Sequence, residues 1–133
     1  MSKIEPKKII IVEDEPDTAE MFAEMMRLSG HQVLKSYGGT PAIALISHEV
    51  PDVVVLDVMM PDLSGLEVLR YIRRDPRLEQ IPVIVVSAKS LPSDIKDGLD
   101  AGANIYLTKP VAFQDLNAAV RRVLESFTGA QGA

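Results

Sequence analysis

Three runs of aliphatic residues with no polar alternation constrain this chain more than any other feature. They are Lys8-Ile9-Ile10-Ile11-Val12, Val53-Val54-Val55-Leu56 and Val83-Ile84-Val85-Val86. A strand with one wet face alternates apolar and polar positions. Unbroken β-branched runs of this length suit strands covered on both faces, as in a parallel sheet. Gln32-Val33-Leu34 is a weaker candidate, and Asn104-Ile105-Tyr106-Leu107-Thr108 a fifth, closed by Lys109-Pro110.

Between the runs the period becomes helical. Met21, Phe22, Met25 and Leu28 share one face of a segment from about Pro16 to Ser29, which Gly30 stops. Pro41 opens a second helix with Ile43 and Ile46, and Leu66, Leu69, Ile72 and Arg73 mark a third. Ile95 and Leu99 lie one turn apart in a short fourth. Phe113, Leu116, Val120, Val123 and Phe127 form the clearest apolar stripe, along the fifth. Five β-α repeats with short connections predict right-handed crossovers, hence a single doubly wound α/β domain on a parallel sheet. Residues 1–6 read as an N-terminal extension, 7–127 as the domain, and 128–133 as a tail of linker-like composition.

Length agrees, since 133 residues suit one domain that buries about 68% of its unfolded surface. The absence of Cys removes disulfides and thiolate chemistry, and two His (His31 and His48, both expected at the surface) leave little scope for a His-rich metal site. A net charge of −5 argues against direct nucleic-acid binding. No apolar run is long enough for a membrane span, and the N-terminus is unlike a signal peptide, so a cytoplasmic location is expected.

In open α/β sheets a ligand site lies beyond the carboxyl ends of the strands. Those ends carry Glu13-Asp14-Glu15, Asp57, Ser87-Ala88 and Thr108-Lys109-Pro110. Carboxylates crowded on one rim repel one another, and a hard divalent cation relieves them; Mg²⁺ suits an all-oxygen set. Lys109 adds a positive point charge and Ser87 a hydroxyl donor. Together these are the parts for accepting a phosphoryl group on an aspartate.

From about Lys7 to Phe127 the chain resembles the receiver (response-regulator) domains of two-component signalling. The resemblance rests on Ile11-Val12-Glu13-Asp14-Glu15-Pro16, Leu56-Asp57-Val58-Met59-Met60-Pro61-Asp62-Leu63-Ser64-Gly65, Val86-Ser87-Ala88-Lys89 and Gly102-Ala103-Asn104-Ile105-Tyr106-Leu107-Thr108-Lys109-Pro110. It implies a flavodoxin-like strand order 2-1-3-4-5, and Asp57 as phosphoacceptor. Glu13, Asp14, Asp57 and the Met59 main-chain oxygen would hold Mg²⁺. Lys109 would be the family's lysine, Ser87 and Tyr106 its switch pair, and Lys109-Pro110 a cis peptide. The implied partners are a histidine kinase or phosphotransfer protein and a downstream protein or output domain. Two acids usual at the fifth strand are replaced by Asn104-Ile105, and an aromatic after Lys-Pro by Val111. With only Lys96, Asp97 and Arg121 left of the charged dimer network, a monomer or a weak phosphorylation-dependent dimer is expected.

Plain structural roles compete with these. Asp14 or Ser87 could cap a helix, Lys109 could be solvated, and Tyr106 could pack on the last helix. Arg70-Tyr71-Ile72-Arg73-Arg74 reads as a solvated face. Among functions, the leading expectation is a phosphorylation-controlled signalling module, not a metabolic enzyme. The alternative is a pseudo-receiver that docks without phosphate. A flavin or dinucleotide domain would need a Gly-rich or hydroxyl-rich loop where Glu13-Asp14-Glu15 stands. An Asp-x-Asp phosphatase would need a second acid where Met59 stands.

Overall fold

The computed structural model describes the backbone of residues 5–132 and the side chains of residues 5–126. Strands and helices alternate as β1 (Lys8–Val12), α1 (Pro16–Leu28), β2 (Gln32–Ser36), α2 (Gly39–Glu49), β3 (Val53–Leu56), α3 (Gly65–Arg74), β4 (Val83–Ser87), α4 (Pro92–Asp100), β5 (Ile105–Thr108) and α5 (Phe113–Gly132). All strand pairs are parallel, in the order β2-β1-β3-β4-β5. The order reverses between β1 and β3, which sets a crevice above their carboxyl ends.

The unbroken runs are explained by two separate cores. Ile9, Ile11, Val53, Val55, Ile84 and Val86 point to one face, where Phe22 and Met26 of α1 and Leu116 and Val120 of α5 cover them. Their neighbours Ile10, Val12, Val54, Leu56, Val83 and Val85 point to the other, onto Ile46 of α2 and Val68, Leu69 and Ile72 of α3. The edge strands β2 and β5 are mostly half-buried, which is why their apolar signal is weak.

Several expectations are corrected. The stripe that packs α1 is Ala19, Phe22, Ala23 and Met26, whereas Met21 is 46% and Leu28 75% exposed. Alanines weigh little in an apolar count, yet they let the helix approach the sheet closely. Arg73 does not belong to a solvated face. Its guanidinium donates to the carbonyls of Glu79, Ile81 and Gly102 and to Asn104 Oδ1, clamping α3 to the entries of β4 and β5. Helical backbone runs on through residues 128–132, within the expected tail. Of the expected N-terminal extension, residues 1–4 lie outside the described residues.

His31 is buried, not at the surface. Its Nδ1 accepts the Lys7 N–H at 3.1 Å where the chain enters β1. Burial depresses the imidazole below its ordinary pKa of 6.5; the carboxylate of Asp52 opposes that and the charge of Lys7 adds to it. The folded protein therefore binds this proton less readily than the unfolded chain. The contribution is complete above about pH 6.5 and is lost as pH falls through the lowered folded value. Urea midpoints taken on either side of that pH should fall on acidification more in the wild type than in His31→Asn, which keeps an acceptor but does not titrate.

Val50 closes α2 with φ of 44°, a left-handed conformation that is costly for a β-branched side chain. The penalty is about 1–2 kcal/mol, and the residue is 46% exposed, so little burial offsets it. Val50→Asn should raise stability by about 1 kcal/mol, visible as a higher urea midpoint with an unchanged m-value.

Candidate functional site

The parallel ladder carries each polar residue to the same rim. Glu13 N–H donates to Ser36 O, Asp57 N–H to Val12 O and Lys109 N–H to Ser87 O. Glu13, Asp57 and Ser87 are 2%, 5% and 0% exposed. Groups buried this far must be paired, and each is. Lys109 Nζ lies 2.7 Å from Glu13 Oε1 and 3.1 Å from Asp57 Oδ2. The second oxygen of Asp57 accepts the Met59 N–H at 3.0 Å, and that of Glu13 the Glu15 N–H at 3.1 Å.

Charge at the rim is unbalanced. Carboxylate oxygens of Glu13, Asp14 and Asp57 lie within 4.8 Å of one another, against the single ammonium of Lys109. Burial raises the Glu13 carboxyl above its ordinary value, although hydrogen bonds from Lys109 and Glu15 pull the other way. Burial works to lower Lys109, but its bonds to Glu13 and Asp57 prevail and hold it above the ordinary lysine value. An all-oxygen, hard-donor cluster with excess negative charge fits a small divalent cation. Asp14 is free for that task because Glu15 caps α1, accepting from Asp17 N at 2.7 Å and Thr18 N at 3.4 Å.

The loop after Asp57 is shaped by its motif. A Cβ on Gly65 would stand 2.1 Å from the Asp57 carbonyl oxygen, so only glycine lets α3 begin this close to the rim. Ser64 caps that helix through the Leu66 N–H at 3.2 Å. Asp62 does what the sequence reading missed. It accepts from Gly39 N at 3.1 Å and Thr40 N at 2.9 Å, capping α2 from a different loop. These bonds lower its carboxyl to about 2. The available signal was negative: α2 starts at Gly38-Gly39 with no side-chain cap of its own, so its amides need an outside acceptor.

Ser87 and Tyr106 meet through one residue. Ser87 Oγ accepts the Lys89 N–H at 3.1 Å, and the Tyr106 hydroxyl donates to the Lys89 carbonyl at 2.7 Å. Tyr106 stands beside Val85 on the neighbouring strand, and its ring lies against Gly98 of α4. Ser87 is no helix cap, since α4 starts after Leu91, whose N–H bonds Asp94. The Met59 side chain is exposed, His48 likewise, and the Lys109-Pro110 peptide is cis. Every expected site residue is thus at the rim or one residue removed from it.

Comparison with known proteins gives one answer. Residues 9–121 match the family described as the response regulator receiver domain. The response regulator MprA of Mycolicibacterium vanbaalenii is 39% identical over 128 residues, covering 96% of this chain and 54% of MprA. Protein PilH of Pseudomonas aeruginosa is 39% identical over 117 residues, covering 88% of this chain and 97% of PilH. The chain therefore spans about half of the mycobacterial regulator but nearly all of PilH. A putative response regulator from Chloroflexus aurantiacus superposes with a TM-score of 0.87 at 30% identity, over 91% of this chain and 99% of that one. The receiver domain of the Pseudomonas aeruginosa sensor kinase PA1611, solved with magnesium in its active-site cleft, superposes at 0.84 with 28% identity, over 90% and 98%. With the fold and more than four-fifths of its length in agreement, this chain belongs to the response regulator receiver domain family of two-component signal transduction.

Proposed function

We propose that the chain accepts a phosphoryl group on Asp57 with Mg²⁺ bound at Glu13, Asp14, Asp57 and the Met59 carbonyl, and converts that event into altered protein contacts. The observation carrying this reading is Asp57 at a strand terminus, nearly buried, 3.1 Å from Lys109 and within ligand reach of Glu13 and Asp14. An Asp57 oxygen attacks phosphorus, forming an O–P bond while the bond to the donor's nitrogen or oxygen breaks, and the electron pair leaves with the donor. Bound Mg²⁺ would neutralise charge on the transferring oxygens. Lys109 stays within reach of the oxygen that Asp57 gives up to phosphorus, and the Ser87 hydroxyl can donate to a phosphoryl oxygen. Hydrolysis of the aspartyl phosphate restores the carboxylate.

The donor fits a histidine kinase or phosphotransfer protein. The apolar patch of Met21, Met25 and Leu28 on α1, a helix that starts at the rim, offers a docking surface for it. The acceptor state would act on a downstream protein or an output domain, in the cytoplasm. Acetyl phosphate with Mg²⁺ should add one phosphoryl group, labile to hydroxylamine and absent from Asp57→Asn by intact mass. Calorimetry should find Mg²⁺ affinity about tenfold or more weaker in Asp14→Asn. No adduct from any donor would instead indicate a receiver that docks without phosphate.

The free domain is read as a monomer, or a weak phosphorylation-dependent dimer. Asn104 turns its oxygen inward to Arg73 and Val83 N–H, and Lys96 is bound to Asp100 at 2.5 Å within its own helix. Asn104, being neutral and turned inward, adds no charge to a network between copies. Light scattering at micromolar protein should give the monomer mass without phosphate, and a tight dimer there would overturn the reading.

A further inference from the structure

Gly98 lies inside α4, where glycine is the worst ordinary helix former. Its backbone does not need glycine, because the positive-φ glycines among the described residues are Gly30 and Gly102. Space is the remaining reason. A Cβ at this position would stand 2.7 Å from Tyr106 Cδ2 and 2.8 Å from Cε2, closer than carbon atoms pack. Those two atoms form one edge of the ring, so a side chain at this position requires the ring to give way.

We propose that Gly98 is a positioning residue: its bare Cα forms the recess that seats the Tyr106 ring, and residue size at this position sets whether Ser87, Lys89 and Tyr106 stay linked. With the ring seated, the Tyr106 hydroxyl reaches the Lys89 carbonyl while the Lys89 N–H reaches Ser87 Oγ. The β4–α4 loop is then held at Lys89 from two sides, by Ser87 at the end of β4 and by Tyr106 of β5. With the ring expelled, the Lys89 carbonyl loses its donor and Ser87 can no longer report through Tyr106. A place for the displaced ring exists. Tyr106 also lines a groove of about 480 Å³ along the β5 edge, with Ile95, Pro110, Ala118 and Arg122. Gly98 touches neither Asp57 nor the metal-ligand candidates; it acts through the ring alone.

The recess itself is a property of the unphosphorylated protein, while its consequence for signalling rests on the proposed phosphoacceptor function. Two measurements keep these apart. The first needs no phosphate. In wild type, NMR should show cross-relaxation between the Tyr106 ring protons and the Gly98 Hα protons. In Gly98→Ala that contact should vanish, with a large shift at the Lys89 and Ser90 amides. Melting temperature supplies the sign test. Alanine favours helix, so Gly98→Ala should raise Tm when Tyr106 is replaced by Val, and should lower Tm or leave it unchanged when the tyrosine is present. A ring that stays in contact with the new methyl group, or an equal rise in both backgrounds, overturns the recess. The second measurement adds beryllofluoride and Mg²⁺. Shifts at Val58 and Met59 should persist in Gly98→Ala, while those at Ile95 and Tyr106 should shrink severalfold. Undiminished shifts at Ile95 would overturn the coupling role. If wild-type Val58 and Met59 do not respond at all, the phosphoacceptor reading fails, and the first measurement still decides the recess.

Discussion

Lys109 holds Glu13 and Asp57 with one ammonium, and much of the rim depends on that shared contact. Two nearly buried carboxylates would repel each other, and each would resist ionisation, without a cation between them. The lysine reaches them because its own N–H is fixed to Ser87 O, at the end of the β4–β5 ladder. Its position is therefore set by the sheet and not by the loop beyond. One ammonium against three carboxylates leaves negative charge over, and this residual charge makes the site a place for a second, removable cation.

The sheet also explains why the chemistry is confined to this edge. Every residue of β1 after Lys8, all of β3 and β4 up to Val86 face one or other apolar layer, so a polar side chain within them would be buried without a partner. Polar groups are tolerated where the strands end and the loops supply amides, as the Met59 and Glu15 N–H groups do for Asp57 and Glu13.

That confinement made the fold and the rim legible in the amino-acid order. The central strands announce themselves as unbroken aliphatic runs, and whatever follows each run falls on the rim, so Glu13, Asp14, Asp57, Ser87 and Lys109 could be picked out together. The residues that escaped detection depend on partners distant in sequence. Asp62 caps a helix that begins 23 positions before it, His31 serves Lys7 across 24, and Arg73 reaches Gly102 across 29. Local pattern does not name the partners of such bonds. The misplaced α1 stripe has another cause: hydrophobicity ranked Met21 and Leu28 above Ala19 and Ala23, whereas close packing against a sheet favours the small residues.

Coupling outward from the rim follows from the same economy of loops. The segment after Asp57 ends in Asp62, which caps the start of α2, and Ser64, which caps the start of α3, so short covalent paths join Asp57 to two helices. The segment after Ser87 reaches α4 differently, through the Lys89 carbonyl and an aromatic ring resting on a glycine. The first route combines charge-assisted bonds from the Gly39 and Thr40 amides to Asp62 with the neutral Ser64 cap. The second is one neutral hydrogen bond at a partly exposed hydroxyl, worth about 1 kcal/mol. A ligand shifts an equilibrium by no more than its differential affinity for the two states. Of the two routes, the Lys89–Tyr106 link is the weaker.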